Sequence, residues 1–421
     1  MKLQKILSRF QRLHPKEIDL SLDRILKLCK KLGKPQNKIK AISVVGTNGK
    51  NSTIQAAYAI LKEANFRCNV YTSPHIQKIN ERFIFNNEEL SDDELANLLE
   101  EVEKINENQT ITVFEMLSAC FFYKAAQYPN NINLLESGLF HRFDAVNILD
   151  TNLASIVTSI SKDHLDWLPK DKQTIEQIVF EKTSTLLNSN IIVAKQNTRE
   201  TMDCIKKNIS QNKSNKVFFN DDFSYSIKEN NFFYYEDKLG GLKLPMPNVL
   251  GQYQLENIST AIATLRTLNI DIKDEHIQRG ITKISSLARL QEIKSGKLKE
   301  LVKNNKLIVD GSHNEGGAKA LNEYLQSLDC NKHVIIGMMA NKEHEKYISY
   351  FNDVSSITTI DIKTQPNSIS GKDLKKKFRI MSNVQYQPSI EQAIKSISLK
   401  DGDILLITGS LYGAAEVLSL N

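Results

Sequence analysis

The chain is 421 residues long, with 41% hydrophobic and 25% charged residues, which implies two or three ordinary globular domains and excludes collagen, coiled coil and wholesale disorder. Its net charge of +6, from 55 Lys and Arg against 49 Asp and Glu, suits an anionic small substrate and falls well short of a nucleic-acid-binding signature. No apolar run is long enough for a membrane helix, and the five scattered cysteines (Cys29, Cys68, Cys120, Cys204, Cys330) form no C-x-x-C pair, so neither a disulfide framework nor a structural zinc site is supported and a cytoplasmic setting is expected.

The basic N-terminus has no apolar h-region and reads as an amphipathic helix, not a secretory signal. Apolar residues at Ile6, Leu7, Phe10 and Leu13, then at Leu22, Ile25, Leu26 and Leu28, predict helix over residues 1–32 with a break at Pro15. Ala41–Val45 is a β-branched strand that stops at Gly46, residues 52–64 carry helical periodicity, and Cys68–Tyr71 is the next strand. This is a β-loop-α-β unit with a glycine-bearing loop at the carboxyl end of its first strand. Further strands are predicted at Ile132–Leu135, Ala154–Ile160 and Ile191–Val193, and helices at 91–106, 115–127 and 173–187. The Phe/Tyr/Asn-rich stretch 217–245, with turns at Asn230-Asn231 and Gly240-Gly241, predicts a small antiparallel β subdomain. A second α/β pattern follows, with strands Leu307–Val309, Val334–Ile336, Thr358–Ile362 and Ile404–Ile407 and helices at 315–328, 342–351, 370–378, 389–398 and 411–419. Such alternation implies a parallel sheet with helices on both faces, and the boundary is expected near 288–296.

The segment VVGTNGKNST, Val44 to Thr53, leads from the first strand into a helix through two glycines and a lysine. Loop amides and a helix N-terminus can bind an anion there, with Lys50 adding a point charge. The strict G-x-x-x-x-G-K-[ST] pattern fails at Val44 and Asn51, and a Gly-Lys turn before a helix can be only a turn. Yet G-T-N-G-K-x-S resembles the phosphate loop of the Mur-ligase superfamily, in its folylpolyglutamate synthase/dihydrofolate synthase branch. The resemblance runs in order along nearly the whole chain. It takes in Tyr71-Thr72-Ser73-Pro74-His75, Asn80-Glu81-Arg82, Phe114-Glu115, Leu135-Glu136, Arg142-Phe143-Asp144-Ala145-Val146-Asn147 and Thr158-Ser159-Ile160. It continues through Asp163-His164-Leu165-Asp166-Trp167-Leu168, Glu181-Lys182, Asn257 with Ala261, Arg289-Leu290-Gln291, Asp310-Gly311-Ser312-His313-Asn314 and Gly409-Ser410-Leu411-Tyr412.

The resemblance implies an α/β fold: a P-loop-type Mur-ligase central domain with a parallel sheet and a small antiparallel β subdomain over 1–288, a linker at 289–295, and a smaller Rossmann-like glutamate-ligase domain at 296–421. It implies an ATP-dependent ligase that adds L-glutamate to dihydropteroate and to reduced folates through an acyl phosphate, acting as a cytoplasmic monomer with no nucleic-acid or membrane partner. Two anions must meet when a carboxylate attacks the γ-phosphate, so cations and N–H dipoles are needed. By resemblance, Thr47, Asn48, Gly49, Lys50, Asn51, Ser52, Asn257, Arg289, Asp310 and His313 bind ATP. Ser73, Glu136 and His164 hold two Mg²⁺ ions, and Lys182 is open to carbamylation. Lys50, Glu136, His164 and Lys182 carry the catalysis. Pteroate recognition falls to the segment Ile18-Asp19-Leu20-Ser21-Leu22-Asp23-Arg24 and to Thr112, Phe114, Glu115, Phe143, Asp144 and Ala145; a helix-capping Asp accounts equally well for Asp19. Residue by residue, the plain alternatives are a capping Ser, a surface Glu and a hydrogen-bonded His.

Several positions depart from the family pattern. Phe140-His141 stands for Gly-Gly, Ser137 for Val, Asn51 for Gly, Glu315 for Pro, and Asn367 where Arg is common. Glycines allow close backbone approach that Phe and His do not, so the loop has shifted, the substrate preference has changed, or activity is reduced. The other readings are a Mur-type ligase acting on a cell-wall precursor and a non-catalytic nucleotide-binding relative.

Overall fold

The computed structural model describes residues 2–16, 19–229, 231–378 and 384–421. The chain forms two compact units: Met1–Ile160 with Pro169–Asn248 and Glu256–Ile284, and Ser161–Leu168 with Val249–Leu255 and Ser285–Asn421.

The first unit is built on β1 (Lys40–Val45), β2 (Cys68–Tyr71), β3 (Phe83–Phe85), β4 (Glu88–Glu89), β5 (Ile132–Glu136), β6 (Ala154–Val157), β7 (Asn190–Val193) and β8 (Asn215–Phe218), in the order β4-β3-β2-β5-β1-β6-β7-β8. β2, β5, β1, β6, β7 and β8 run parallel, while the β3–β4 hairpin adds an antiparallel edge. β2, β5 and β6 are buried along their whole length, as a sheet covered on both faces requires. The chain leaves β1 towards β5 and β2 on one side, and β6 lies on the other, so a topological switch point opens at the carboxyl end of β1.

Five helices precede or flank β5 in this unit: α1 (Lys2–Leu13), α2 (Asp23–Lys31), α3 (Lys50–Glu63), α4 (Asp92–Asn106) and α5 (Val113–Ala125). The expected break at Pro15 lies between α1 and α2. Ile6 and Phe10 of α1 and Ile25 and Leu28 of α2 enter the same core as Leu95, Leu99, Phe121 and Phe122. Outside the core, Arg9 pairs with Glu103, and Lys2 pairs with Glu100 at 2.9 Å, fixing α1 on α4.

α3 packs closely on the helix Asp274–Ile281 because Gly280 has no side chain; a Cβ there would lie 2.6 Å from the Cα of Ile60. Backbone cannot yield cheaply, so Gly280→Ala is expected to destabilise the protein by about 1–3 kcal/mol. A urea midpoint unchanged from wild type would refute that close contact.

Strand Ala154–Ile160 was expected to be longer than it is. β6 stops at Val157 because the carbonyl of Ser159 turns to the amides of Thr47 and Asn48, at 2.9 and 3.0 Å, and the Ile160 amide donates to Gln196. The helix expected over 173–187 spans only Ile175–Thr183. The antiparallel subdomain comprises β9 (Phe223–Glu229), β10 (Phe232–Asp237) and β11 (Gly240–Pro245). Its second turn lies at Lys238-Leu239, not at Gly240-Gly241, because Asp237 Oδ1 accepts the Leu239 amide at 2.8 Å and Gly240 already pairs with Asp237 in the ladder. Asn230, of the other expected turn, lies outside the described residues.

The second unit holds β12 (Gln291–Ile293), β13 (Lys306–Val309), β14 (Lys332–Ile336), β15 (Ser356–Ile360), β16 (Val384–Gln387) and β17 (Ile404–Thr408), in the order β12-β13-β17-β14-β15-β16. All pairs are parallel except the edge strand β12. The region expected as helix 342–351 is the short helix His344–Ile348 followed by a tight turn at Ser349–Phe351. The sequence reading assigned nothing to β3, β4, β12 or β16; each is an edge strand or next to one, and too short to show a period.

Candidate active site

In the first unit, the loop after β1 lies between the ends of β5 and β6, with Val44 opposite Glu136 and Val45 opposite Val157. A Cβ on Gly46 would collide with the Thr158 hydroxyl. Gly49 caps α3 at φ +85°, a left-handed conformation that costs glycine nothing, and the Asn257 side-chain oxygen occupies the space a Cβ would need. The Thr47 and Asn48 amides already donate to Ser159, so the donors this loop could offer an anion are the amides at the start of α3, which lack intrahelical acceptors. Lys50 Nζ lies 3.2 Å from the carbonyls of Gly46 and Thr47, directly over the loop.

Ser73 and Glu136 follow from the same topology. Glu136 ends β5 and is buried, and its Oε2 accepts the Ser73 amide at 3.0 Å. A carboxylate beside a hydroxyl-bearing residue is a hard oxygen pair, which fits Mg²⁺, an ion that takes one or two carboxylates and completes its shell with phosphate oxygens and water. Among the described residues no group of three or more His, Cys, Asp and Glu forms a metal cage. Lys182, on helix Ile175–Thr183, is buried and donates to the carbonyls of Gly46 and Leu139, both at 2.8 Å, with the Phe140 ring 5.6 Å from its Nζ.

The loop after Glu136 is held from several sides. Asp144 is fully buried; it accepts the Gly138 amide at 2.6 Å and the Val146 amide at 3.0 Å. Burial raises its pKa to about 6, against the opposing pull of those amides and of Lys182 and Lys50. Arg142 forms a two-pronged pair with buried Glu181, both bonds 2.8 Å, and lies 4.3 Å over the Phe143 ring. Ala145 is buried in the core, while Phe143 is half-buried.

On the expected pteroate side, Thr112 and Glu115 form the capping box of α5. Arg24 joins Glu115 at 3.0 Å to Asp19 at 2.9 Å, so these acidic groups are tied to one guanidinium. Glu115 is buried, and its Oε1 has no hydrogen-bond partner. Ser21 accepts the Asp23 amide, Leu22 packs against the core, Leu20 is half-buried, and Phe114 stacks on Tyr71 at 6.3 Å. Ile18 lies outside the described residues.

His164 belongs to the second unit, in the segment Ser161–Leu168. It adopts a left-handed backbone at φ +58°, with its amide 2.8 Å from Asp163 Oδ1. Asp163 also faces Lys342, Asn314 and His313. Burial alone would raise the Asp163 pKa, but the His313 hydrogen bond and the charges of His164, His313 and Lys342 outweigh it and hold the carboxyl far below the usual range. Asp310, at the end of β13, is buried and accepts the Leu290 and Ser312 amides, both at 2.8 Å. Arg289 donates to its neighbour's carbonyl at Ala288. Sequence reasoning passed over Asp163 and Lys342 as site residues, because their partners lie 151 and 179 residues away.

Residues 297–411 match the Mur ligase, glutamate ligase domain. The Bacillus subtilis dihydrofolate synthase/folylpolyglutamate synthase is 29% identical over 94% of this chain and 94% of its own length. The Escherichia coli protein of the same name is 28% identical over 98% and 94%. The solved structure of E. coli FolC in complex with DHPP and ADP superposes with a TM-score of 0.85 at 25% identity, covering 99% of this chain and 97% of that one. Over nearly its whole length the chain is similar to folylpolyglutamate synthase/dihydrofolate synthase proteins. A further solved structure, the bifunctional folylpolyglutamate synthase/dihydrofolate synthase with Mn, AMPPNP and L-glutamate bound, also superposes with a TM-score of 0.85 at 25% identity.

Against the family pattern, two departures of this chain meet in space. Ser137 Oγ and His141 Nδ1 lie 2.9 Å apart, so the side chain in place of Val holds the side chain in place of Gly. Phe140 is buried, facing Lys182. Burial, reinforced by the Lys182 charge, lowers the His141 pKa to about 3. His75 is lowered to about 4 by burial and by Arg82, whose Nε donates to its Nδ1 at 2.9 Å. Both histidines must therefore take up protons on unfolding below their ordinary value near 6.5, so their stabilisation is complete above that pH and is lost as the pH falls towards 4 and then 3. Asp144 acts with the opposite sign: its raised pKa favours the folded state below about 4, an advantage lost as pH rises through 6. With two groups against one, the thermal midpoint is expected to drop between pH 7 and pH 4.5, and His141→Gln to flatten that slope. Parallel slopes for variant and wild type would show that His141 does not carry the effect.

Proposed function

We propose that this protein is an ATP-dependent ligase that joins L-glutamate to dihydropteroate and to reduced folates through an acyl phosphate. The observation that carries this reading is the phosphate loop at the switch point, with Lys50 over the loop and the Ser73–Glu136 pair on the neighbouring strand ends. The amides opening α3 and the Lys50 ammonium neutralise the triphosphate, which lets a carboxylate approach the γ-phosphorus. Bound Mg²⁺, held through Glu136 and Ser73, supplies further charge neutralisation on the phosphate oxygens. Lys182 fastens the phosphate loop to the loop after β5 through its two carbonyl bonds. Asp310 and His313 are proposed to contact the nucleotide, and the 137–145 loop with Phe114 the pteroate.

The reading extends to a second Mg²⁺ with His164 among its ligands and to a carbamate on Lys182. A carbamate nitrogen keeps one proton, so this modification requires giving up one of the two carbonyl bonds; a ¹³C signal from labelled bicarbonate, lost in Lys182→Arg, tests it. The enzyme is further proposed to act as a cytoplasmic monomer, a state that size-exclusion chromatography checks. No helix among the described residues is long and apolar enough to cross a membrane.

The deciding experiment is ADP release by purified protein supplied with ATP, Mg²⁺, dihydropteroate and L-glutamate. Release that requires both acceptor and glutamate supports the proposal. Release only with a cell-wall UDP-sugar precursor transfers the assignment to that branch, and ATP binding without release identifies a non-catalytic relative.

A further inference from the structure

We propose that Asp163 is a positioning residue that ties His164, His313, Asn314 and Lys342 into one constellation beside the loops after β13 and β14; this rests on the ligase reading above. The Asp163 side chain is 8% exposed and its two oxygens are fully engaged. Oδ1 accepts the His164 amide at 2.8 Å and Lys342 Nζ at 3.0 Å, and Oδ2 accepts Asn314 Nδ2 at 3.0 Å and faces His313 Nε2 at 3.6 Å.

Each partner is also held from its far side. His313 Nδ1 lies 3.1 Å from the Gly311 carbonyl, which leaves Nε2 turned to the carboxylate. Asn314 Oδ1 accepts the Gly317 amide at 2.9 Å and so caps helix Glu315–Gln326 while its nitrogen grips Asp163. His164 holds a left-handed backbone that the amide bond to Asp163 stabilises. One buried carboxylate thus fixes three separate chain segments. It also leaves one ammonium and two imidazoles around a single negative charge, a balance suited to a phosphate-bearing substrate. A fixed ammonium and a fixed imidazole are effective only when they are placed to within a fraction of an ångström, so the residue that places them shares in the rate.

The test compares Asp163→Asn, Asp163→Glu and Lys342→Met with wild type in kcat, in KM for ATP, in KM for dihydropteroate and in thermal midpoint. Asp163→Asn is expected to lower kcat by about 10²-fold, the scale of a misplacement of about 1 Å. It should raise KM for ATP and leave KM for dihydropteroate unchanged, with part of the loss restored in Asp163→Glu. Lys342→Met should raise KM for ATP. Wild-type kcat and KM for ATP in Asp163→Asn overturn the proposal, as does a fall in both affinities together with the midpoint and no rescue by glutamate. Should Asp163→Asn fail to fold, an unchanged KM for ATP in Lys342→Met overturns it. If wild type itself shows no glutamate-dependent ADP release, the ligase reading fails, and equilibrium binding of ATP to the same variants still decides the role of Asp163: weaker binding supports it and equal binding overturns it.

Discussion

Replacing Lys50 by alanine is expected to cut glutamate-dependent ADP release by about 10²-fold or more, the scale of losing one preorganised donor to a transition state. Lys50 opens α3 and its Nζ lies over the loop carbonyls of Gly46 and Thr47, so the side chain is already folded onto the loop that the proposed reaction assigns to the triphosphate. The loop's shape comes from other groups: Gly49 in its left-handed conformation, Thr158 behind Gly46 and the Ser159 carbonyl under two loop amides. Removing the lysine therefore leaves the cradle standing, and the thermal midpoint should stay close to wild type. A steady-state assay that finds kcat unchanged would mean that the loop does not serve the chemistry. A loss confined to KM for ATP would mean that Lys50 binds the ground state and the transition state alike.

Arg142→Met is expected to destabilise the protein by about 2–4 kcal/mol. Glu181 has a side chain 5% exposed, and its two oxygens take both prongs of the guanidinium, with Gln177 as a further donor. Methionine keeps the packing on Phe143 and Phe180 but leaves a buried carboxylate with one neutral donor. The Arg142 side chain is itself 34% exposed, which places the loss at the lower part of the range for a broken buried pair. Arg142→Met, Glu181→Gln and the double variant form a cycle in guanidinium chloride denaturation. The double variant should be more stable than Arg142→Met alone, since it removes the stranded charge. Additive losses would show that the two residues act independently. The same pair joins the 137–145 loop to the helix bearing Lys182, so Arg142→Met should also raise KM for dihydropteroate.

The parts of the fold legible in the sequence are those with a local cause. β1, α3 and β2 were readable because a β-branched run, a glycine turn and a helical period follow one another within about thirty residues, the length of a single β-loop-α-β unit. The core strands of the second unit were readable because buried parallel strands are rich in apolar and β-branched residues. The edge strands β4 and β16 lack that signature, since most of their residues are not buried, and β3, whose two phenylalanines are buried, is only three residues long. The overestimate of β6 has a similar origin. Thr158, Ser159 and Ile160 have strand-like side chains, but their backbone groups bond to the phosphate loop and to Gln196.

In the candidate site the division is the same. Ordered motifs named Lys50, Ser73, Glu136, His164 and Lys182: Glu136 ends β5, Ser73 lies just past β2, Lys50 opens α3, Lys182 lies on helix Ile175–Thr183, and His164 lies in the loop beyond β6. They could not tell that Thr112 and Glu115 form a helix cap, or that Asp19 is bound by Arg24. Nor could they show that Ser137 and His141, each unexpected in its own position, hold one another at 2.9 Å.

The sequence by itself determined the α/β class, the glycine-bearing loop after β1 and the resemblance to the folylpolyglutamate synthase/dihydrofolate synthase proteins, because periodicity, glycine placement and motif order are properties of neighbouring residues. Only the tertiary structure decided which charges share a partner. Asp163 meets Asn314 and Lys342 across 151 and 179 residues, and the Asp144 and His141 pKa values move in opposite directions inside one loop. Burial and electrostatic coupling depend on distance through space, and that distance exists only once the chain has packed.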